Sequence, residues 1–143
     1  MPTPRGPLAQ DELELRRAAL AERLGCAVTL DRLAGDFVIF QRRRGHRHST
    51  DDLLTAWYAI THAPTPAPAR LLDLGSGIGS VGLAVLWCFP EATLTAIEVQ
   101  PASHCLLEAN IDANGVAHRA RGILGDLRNP PPESMPVSAS VSV

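Results

Sequence analysis

RLLDLGSGIGS, residues 70–80, runs an apolar strand straight into a turn with glycines at 75, 77 and 79. A turn between a parallel strand and its crossover helix brings backbone close to a ligand, and glycine has no side chain to block that approach. The charge in front of the turn narrows the ligand. A dinucleotide-binding strand usually delivers GxGxxG after an uncharged residue, because the helix behind it must receive a pyrophosphate. Here the pattern is DxGxGxG, and Asp73 would repel a phosphate while suiting a ligand that carries positive charge. A glycine-rich turn with no ligand is the plain alternative; LLDL as a buried strand and Asp73 before the glycines weigh against it.

The stretches downstream repeat the theme. Residues 78–89, IGSVGLAVLWCF, read as a mostly apolar helix stopped by Pro90, and TLTAIE, residues 93–98, is a β-rich run ending in Glu98. A right-handed strand-helix-strand unit puts Asp73 and Glu98 at the carboxyl ends of adjacent parallel strands, where open α/β sheets bind ligands. A carboxylate there can accept both hydroxyls of a ribose; alone it would be read as a solvated acid. Pro101 then opens a helix, PASHCLLEANIDANG, that runs to Gly115 as its C-terminal cap. RARGILGD, residues 119–126, reads as a third strand ending in Asp126, either an acceptor for an adenine amine or a turn aspartate after Gly125.

LLDLGSGIG, AIEV, LEANIDANGV and GD together resemble the first half of a Rossmann-like class I S-adenosylmethionine-dependent methyltransferase. They are most similar to the small-domain branch that includes the bacterial adenine-N6 methyltransferases of valine tRNA. QRRRGHRHSTDDLLTAWYA, residues 41–59, resembles the segment those proteins carry ahead of the cofactor loop, and the likeness covers about residues 36–127. The resemblance implies an α/β fold: the first half of a Rossmann-like methyltransferase sheet, three parallel strands with crossover helices, preceded by a helix and a β-hairpin. It implies S-adenosylmethionine as cofactor, whose ammonium and sulfonium suit Asp73. Asp73, Gly75, Ser76, Gly77 and Gly79 would form the loop, Glu98 would hold the ribose, Asp126 the adenine, and Arg47 would sit at the methionine end. The implied reaction aligns an RNA adenine amine with the sulfonium methyl, so positioning supplies most of the acceleration.

One motif departs from that pattern. In the branch, a fourth strand ends in Asn-Pro-Pro-aromatic, which binds the target amine and stacks the flipped base. This chain has Asn129-Pro130-Pro131-Pro132, only Leu127 and Arg128 separate it from Asp126, and Pro132 stands where the aromatic belongs. Residues 128–143 therefore read as a Pro/Ser-rich disordered tail, and no catalytic residue is assigned. The expectation is a half domain, a truncated product or a piece needing a partner, inactive as it stands. Residues 71–74 would then lie at an open sheet edge for a partner chain to cover.

The remaining sequence sets bounds. The chain has 143 residues, 45% of them hydrophobic, and a net charge of −2, so it fits one modest domain without a global field for nucleic acid. Any RNA contact must be local, and the run from Arg42 through Arg43 and Arg44 to Arg47 and His48 is the candidate: a phosphate-binding patch or a solvated loop. No apolar run approaches membrane-span length and no signal-peptide pattern opens the chain, which together predict a cytoplasmic location. Residues 1–10 read as disordered and 11–24 as an amphipathic helix capped by Asp11 and Glu14, with Gly25 ending it. A hairpin turns around residues 34–36, Thr50 caps a second helix within 11–63, and 64–69 form a Pro-rich linker into the unit at 70–127. Cys26, Cys88 and Cys105 read as reduced packing residues, Cys88 most clearly, and the five histidines form no metal set. Two other functions fit less well. A short-chain dehydrogenase reading of SGIG meets Asp73 and lacks a Tyr-x-x-x-Lys pair, and a non-catalytic partner subunit would use the half fold for binding alone.

Overall fold

The computed structural model of the chain describes residues 7–129 and Pro132. The expected tail, including Pro130 and Pro131, falls otherwise outside them.

Helix α1 spans Gln10–Leu24 and buries Leu13 and Leu20, with Leu24 packed beside them. Its N-cap is Ala9, with no side-chain cap, so the Asp11–Glu14 box does not form. Glu14 pairs instead with Arg17 at 2.8 Å. Gly25, at φ 64°, closes the helix in the left-handed conformation that glycine adopts without strain. Strands β1 (Val28–Arg32) and β2 (Val38–Arg42) form the antiparallel hairpin. At its tip, Trp87 fills the space a Cβ on Gly35 would need, 2.1 Å away, and its Nε1–H donates to Asp36 at 2.9 Å. Helix α2 covers Thr50–Thr61. Its cap is Ser49, one residue earlier than expected, in a reciprocal box with Asp52.

The second half is the parallel unit: β3 (Arg70–Leu74), α3 (Ser80–Cys88), β4 (Thr93–Glu98), α4 (Pro101–Ala113) and β5 (Ala120–Leu124). The strand order is β3-β4-β5, with Asp73 opposite Ala96 and Ala96 opposite Gly122. Strand β5 stops at Leu124, so Asp126 lies beyond the strand that was expected to end in it.

One core joins both halves. Leu83 and Leu86 of α3, Leu94 and Ala96 of β4 and Leu107 of α4 enclose Leu33, Phe37 and Ile39 of the hairpin and Ala56 of α2. Each fully buried leucine or isoleucine there stabilises the fold by about 2 kcal/mol. A second cluster sets Leu13, Leu20, Val28 and Phe40 against Leu106 and Ala113 of α4. Cys88 is not a packing residue: it is exposed, while Cys26 and Cys105 are half-buried.

Hairpin and α4 meet through two fully buried amides. Asn114 Oδ1 accepts from Val38 N–H at 2.8 Å and its Nδ2 donates to Val38 O at 2.9 Å. One turn earlier, Asn110 Oδ1 accepts from Phe40 N–H at 2.6 Å and its Nδ2 donates to Phe40 O at 3.1 Å. Side chains four apart share a helix face, and alternate residues of a strand share an edge. The two amides thus replace a neighbouring strand along β2.

Candidate cofactor-loop site

The turn after β3 is held almost atom by atom. Gly75 N–H and Ser76 N–H both donate to Ile97 O at 2.9 Å, and Gly79 N–H donates to Ser76 O at 2.9 Å. Glu98, buried at the end of β4, accepts from Gly77 N–H through Oε2 and from Gln100 N–H through Oε1, each at 2.8 Å. Its carboxylate therefore ties the loop to the first turn of α4. Asp73 Oδ2 accepts from Gly82 N–H at 3.0 Å, which caps the otherwise uncapped start of α3. Gly75 and Gly77 have φ of 71° and 56°, and a Cβ on either would meet nothing within 4 Å. Their conformation asks for glycine, and the space in front of them is open. Gly79, the N-cap of α3, is packed, since a Cβ there would lie 2.7 Å from Leu107.

That space is a pocket of about 300 Å³. Asp73, Gly75, Ser76 and Gly77 line it from the parallel unit, and Arg42, Arg44, His48 and Asp52 from the stretch that runs from the end of β2 into the first turn of α2. Ser76 Oγ is buried there without a hydrogen-bond partner. Asp52 Oδ2 accepts from Ser80 Oγ at 3.0 Å and from Ser49 N–H at 3.2 Å, and lies 3.6 Å from His48 Nδ1. Burial pushes the Asp73 carboxyl above the ordinary carboxylate range; the Gly82 amide opposes the shift, and the charges of Asp52 and Glu98 add to it. The pocket thus has an anionic wall beside the bare loop and arginines opposite.

The structure brings together Asp73, Gly75, Ser76 and Gly77 at the pocket, with Glu98 and Gly79 fastening the loop. It does not bring in Arg47 or Asp126. Arg47 donates to Arg42 O at 2.7 Å, Thr29 Oγ1 at 3.1 Å and Asp31 Oδ2 at 3.1 Å, so its charge is held by the hairpin. Asp126 is half-buried and paired with Arg128, whose side chain holds its carboxyl below the ordinary range. Asp52, His48, Ser80 and Arg44 were not singled out for the site by sequence reasoning. The Ser49–Asp52 box was the available signal for Asp52, because it marks where α2 begins. No cluster of residues that could hold a metal ion occurs among the described residues.

No family model matches the chain. Among curated proteins it is 30% identical over 99 residues to the tRNA1(Val) (adenine(37)-N6)-methyltransferase of Porphyromonas gingivalis, covering 69% of this chain and 39% of that protein. It is 40% identical over 62 residues to the type II methyltransferase M.XamI of Xanthomonas campestris pv. amaranthicola, 43% of this chain and 12% of that one. Among solved structures, the tRNA (uracil-54, C5)-methyltransferase of Pyrococcus abyssi in complex with S-adenosyl-L-homocysteine superposes with a TM-score of 0.57 at 14% identity. That match covers 71% of this chain and 24% of that one. The fold is that of a Rossmann-like methyltransferase. The methyltransferase fold accounts for the helix, hairpin and three parallel strands alike, and the chain spans less than half the length of these relatives.

Proposed function

We propose that this chain binds S-adenosylmethionine and serves methyl transfer to adenine N6 in RNA. The observation that carries the cofactor reading is the glycine loop itself: bare backbone at Gly75 and Gly77 facing open space, between the Asp73 carboxyl and the unpartnered Ser76 hydroxyl. The cofactor supplies an electrophilic methyl on a sulfonium. Around it, Asp73 and Asp52 give its cationic groups a negative wall. Arg42 and Arg44 line the same pocket from the chain ahead of α2. Glu98 keeps lone pairs beyond its two amide bonds for ribose hydroxyls. The dehydrogenase alternative is not favoured, since a carboxylate already occupies the start of α3 where a pyrophosphate would sit.

For the acceptor, support comes from the tRNA adenine methyltransferase relative, which matches more than two thirds of this chain, and from the arginines beside the pocket. A further strand, from a partner chain or elsewhere, would complete the sheet along β3.

Titration calorimetry with S-adenosylhomocysteine tests the cofactor reading. Gly77→Val places a branched side chain in the open space and should weaken binding by about tenfold or more, a change of roughly 1.4 kcal/mol. Equal affinity in that variant, or no binding to the parent chain, sinks the assignment. The acceptor reading is tested by filter binding of tRNA. Replacing Arg42, Arg43 and Arg44 by alanine should lower affinity and flatten its salt dependence, as loss of about three phosphate contacts requires; an unchanged salt slope removes RNA from the proposal.

A further inference from the structure

Asn110 does more than replace a strand for Phe40. Its Nδ2 also donates to Ile78 O at 2.9 Å, inside the glycine turn. The amide is fully buried, and its three bonds reach two places and fix them relative to each other by directed polar contacts. One is the loop that carries Gly75, Ser76 and Gly77, whose Ile78 also packs on the apolar cluster of Phe40. The other is β2 at Phe40, two residues before Arg42, where the opposite wall of the pocket begins.

We infer that Asn110 is a positioning residue that sets the separation between the glycine loop and the arginine-bearing wall. The inference rests on the pocket being the cofactor site, and it adds a residue that lines no part of it. A planar amide with two donors and an acceptor in fixed geometry suits this task. An aliphatic side chain would leave Ile78 O, Phe40 O and Phe40 N–H buried without partners. Asn114 is a built-in control. It is equally buried and grips the same strand through Val38, and its third bond goes to Asn110 O on its own helix, not to the loop.

The test compares Asn110→Ala with Asn114→Ala at a temperature where both are folded by circular dichroism. Both should melt earlier than the parent chain. Only Asn110→Ala should weaken S-adenosylhomocysteine binding, by about tenfold, as expected for one lost buried hydrogen bond at the loop, while Asn114→Ala stays near the parent value. Equal losses in both, or none in either, overturn the inference. If the parent chain does not bind the ligand, the cofactor reading has failed and amide hydrogen exchange still decides this one. Gly77 and Gly79 should exchange faster in Asn110→Ala than in Asn114→Ala, and equal rates refute the tie. Should Asn110→Ala not fold, exchange in the parent chain replaces it: the Phe40 amide and the loop amides should open together, and independent opening refutes the coupling.

Discussion

The two edges of the parallel sheet are built on opposite principles. On β5, alternation turns Gly122 outward, because Arg119 O and Gly125 N–H both bond β4, and Glu108 of α4 reaches across to accept the Gly122 amide at 3.2 Å. Arg121 on the same strand donates to Thr95 Oγ1 at 3.2 Å. A carboxylate over an outward amide discourages any further strand. On β3, Ala69 O and Gly75 N–H bond toward β4, so residues 70, 72 and 74 turn their backbone outward, and no strand pairs with them among the described residues. Leu72 and Leu74 are 52% and 57% exposed. The sheet is finished on one side and unfinished on the other.

The acids near the carboxyl ends of these strands differ as well. Both are half-buried, but desolvation pushes the Asp73 carboxyl up, while the Arg128 side chain holds that of Asp126 down. The acid whose carboxyl is raised belongs to the open strand and lines the pocket.

The sharpest way to break the comparison is at β3. Leu72→Lys with Leu74→Lys should abolish concentration-dependent self-association in sedimentation velocity, weakening it by more than about tenfold, with stability changed by no more than about 0.5 kcal/mol. A parent chain that stays monomeric at high concentration would show that the edge is not sticky. A smaller effect is expected at β5. Glu108→Ala should cost about 0.5–1 kcal/mol in urea unfolding, the worth of one exposed hydrogen bond, and should introduce association that the parent's β5 lacks. No change in either measurement would remove the guard role. The smallest effect is the pH dependence. Because the folded-state carboxyl of Asp73 lies above its unfolded value of 3.8, the folded chain keeps that proton longer as pH rises. Its contribution to stability is most favourable below the unfolded value, declines up to the raised value, and is flat beyond. Asp73→Asn should flatten that part of the profile. Carboxyl carbon titration should place Asp73 above and Asp126 below ordinary aspartate, and the reverse order would contradict the electrostatics.

Much of this was legible in residue order. The glycine loop, the β4 run ending in Glu98, the helix start at Pro101 and the stop at Gly25 rest on local chemistry that tertiary context did not override. Glycine marked where φ is positive, and an apolar run bounded by Pro90 and an acid marked a strand. The site was less legible because its second wall is tertiary. In the sequence Asp52 marks no more than the start of a helix, and only the packing of α2 on α3 turns it toward Ser80. Arg47 is placed at the methionine end by likeness alone, and the hairpin carboxylate of Asp31 captures it. The strand end at Leu124 shows why Asp126 was misplaced: a Gly-Asp pair continues a turn as readily as a strand. Asn110 and Asn114 carried a signal in their helical spacing, but nothing in a sequence separates a buried asparagine from a solvated one.

The tip of the hairpin gives this molecule its own spectroscopic probe. Trp87 lies over Gly35 and holds Asp36, whereas the other tryptophan, Trp57, stands largely in solvent on α2. With Trp57 replaced by phenylalanine, the single remaining indole fluoresces from the partly exposed seam between the hairpin tip and α3. A red shift in its emission would then time the lifting of the hairpin during unfolding, separately from the melting of helices seen by circular dichroism.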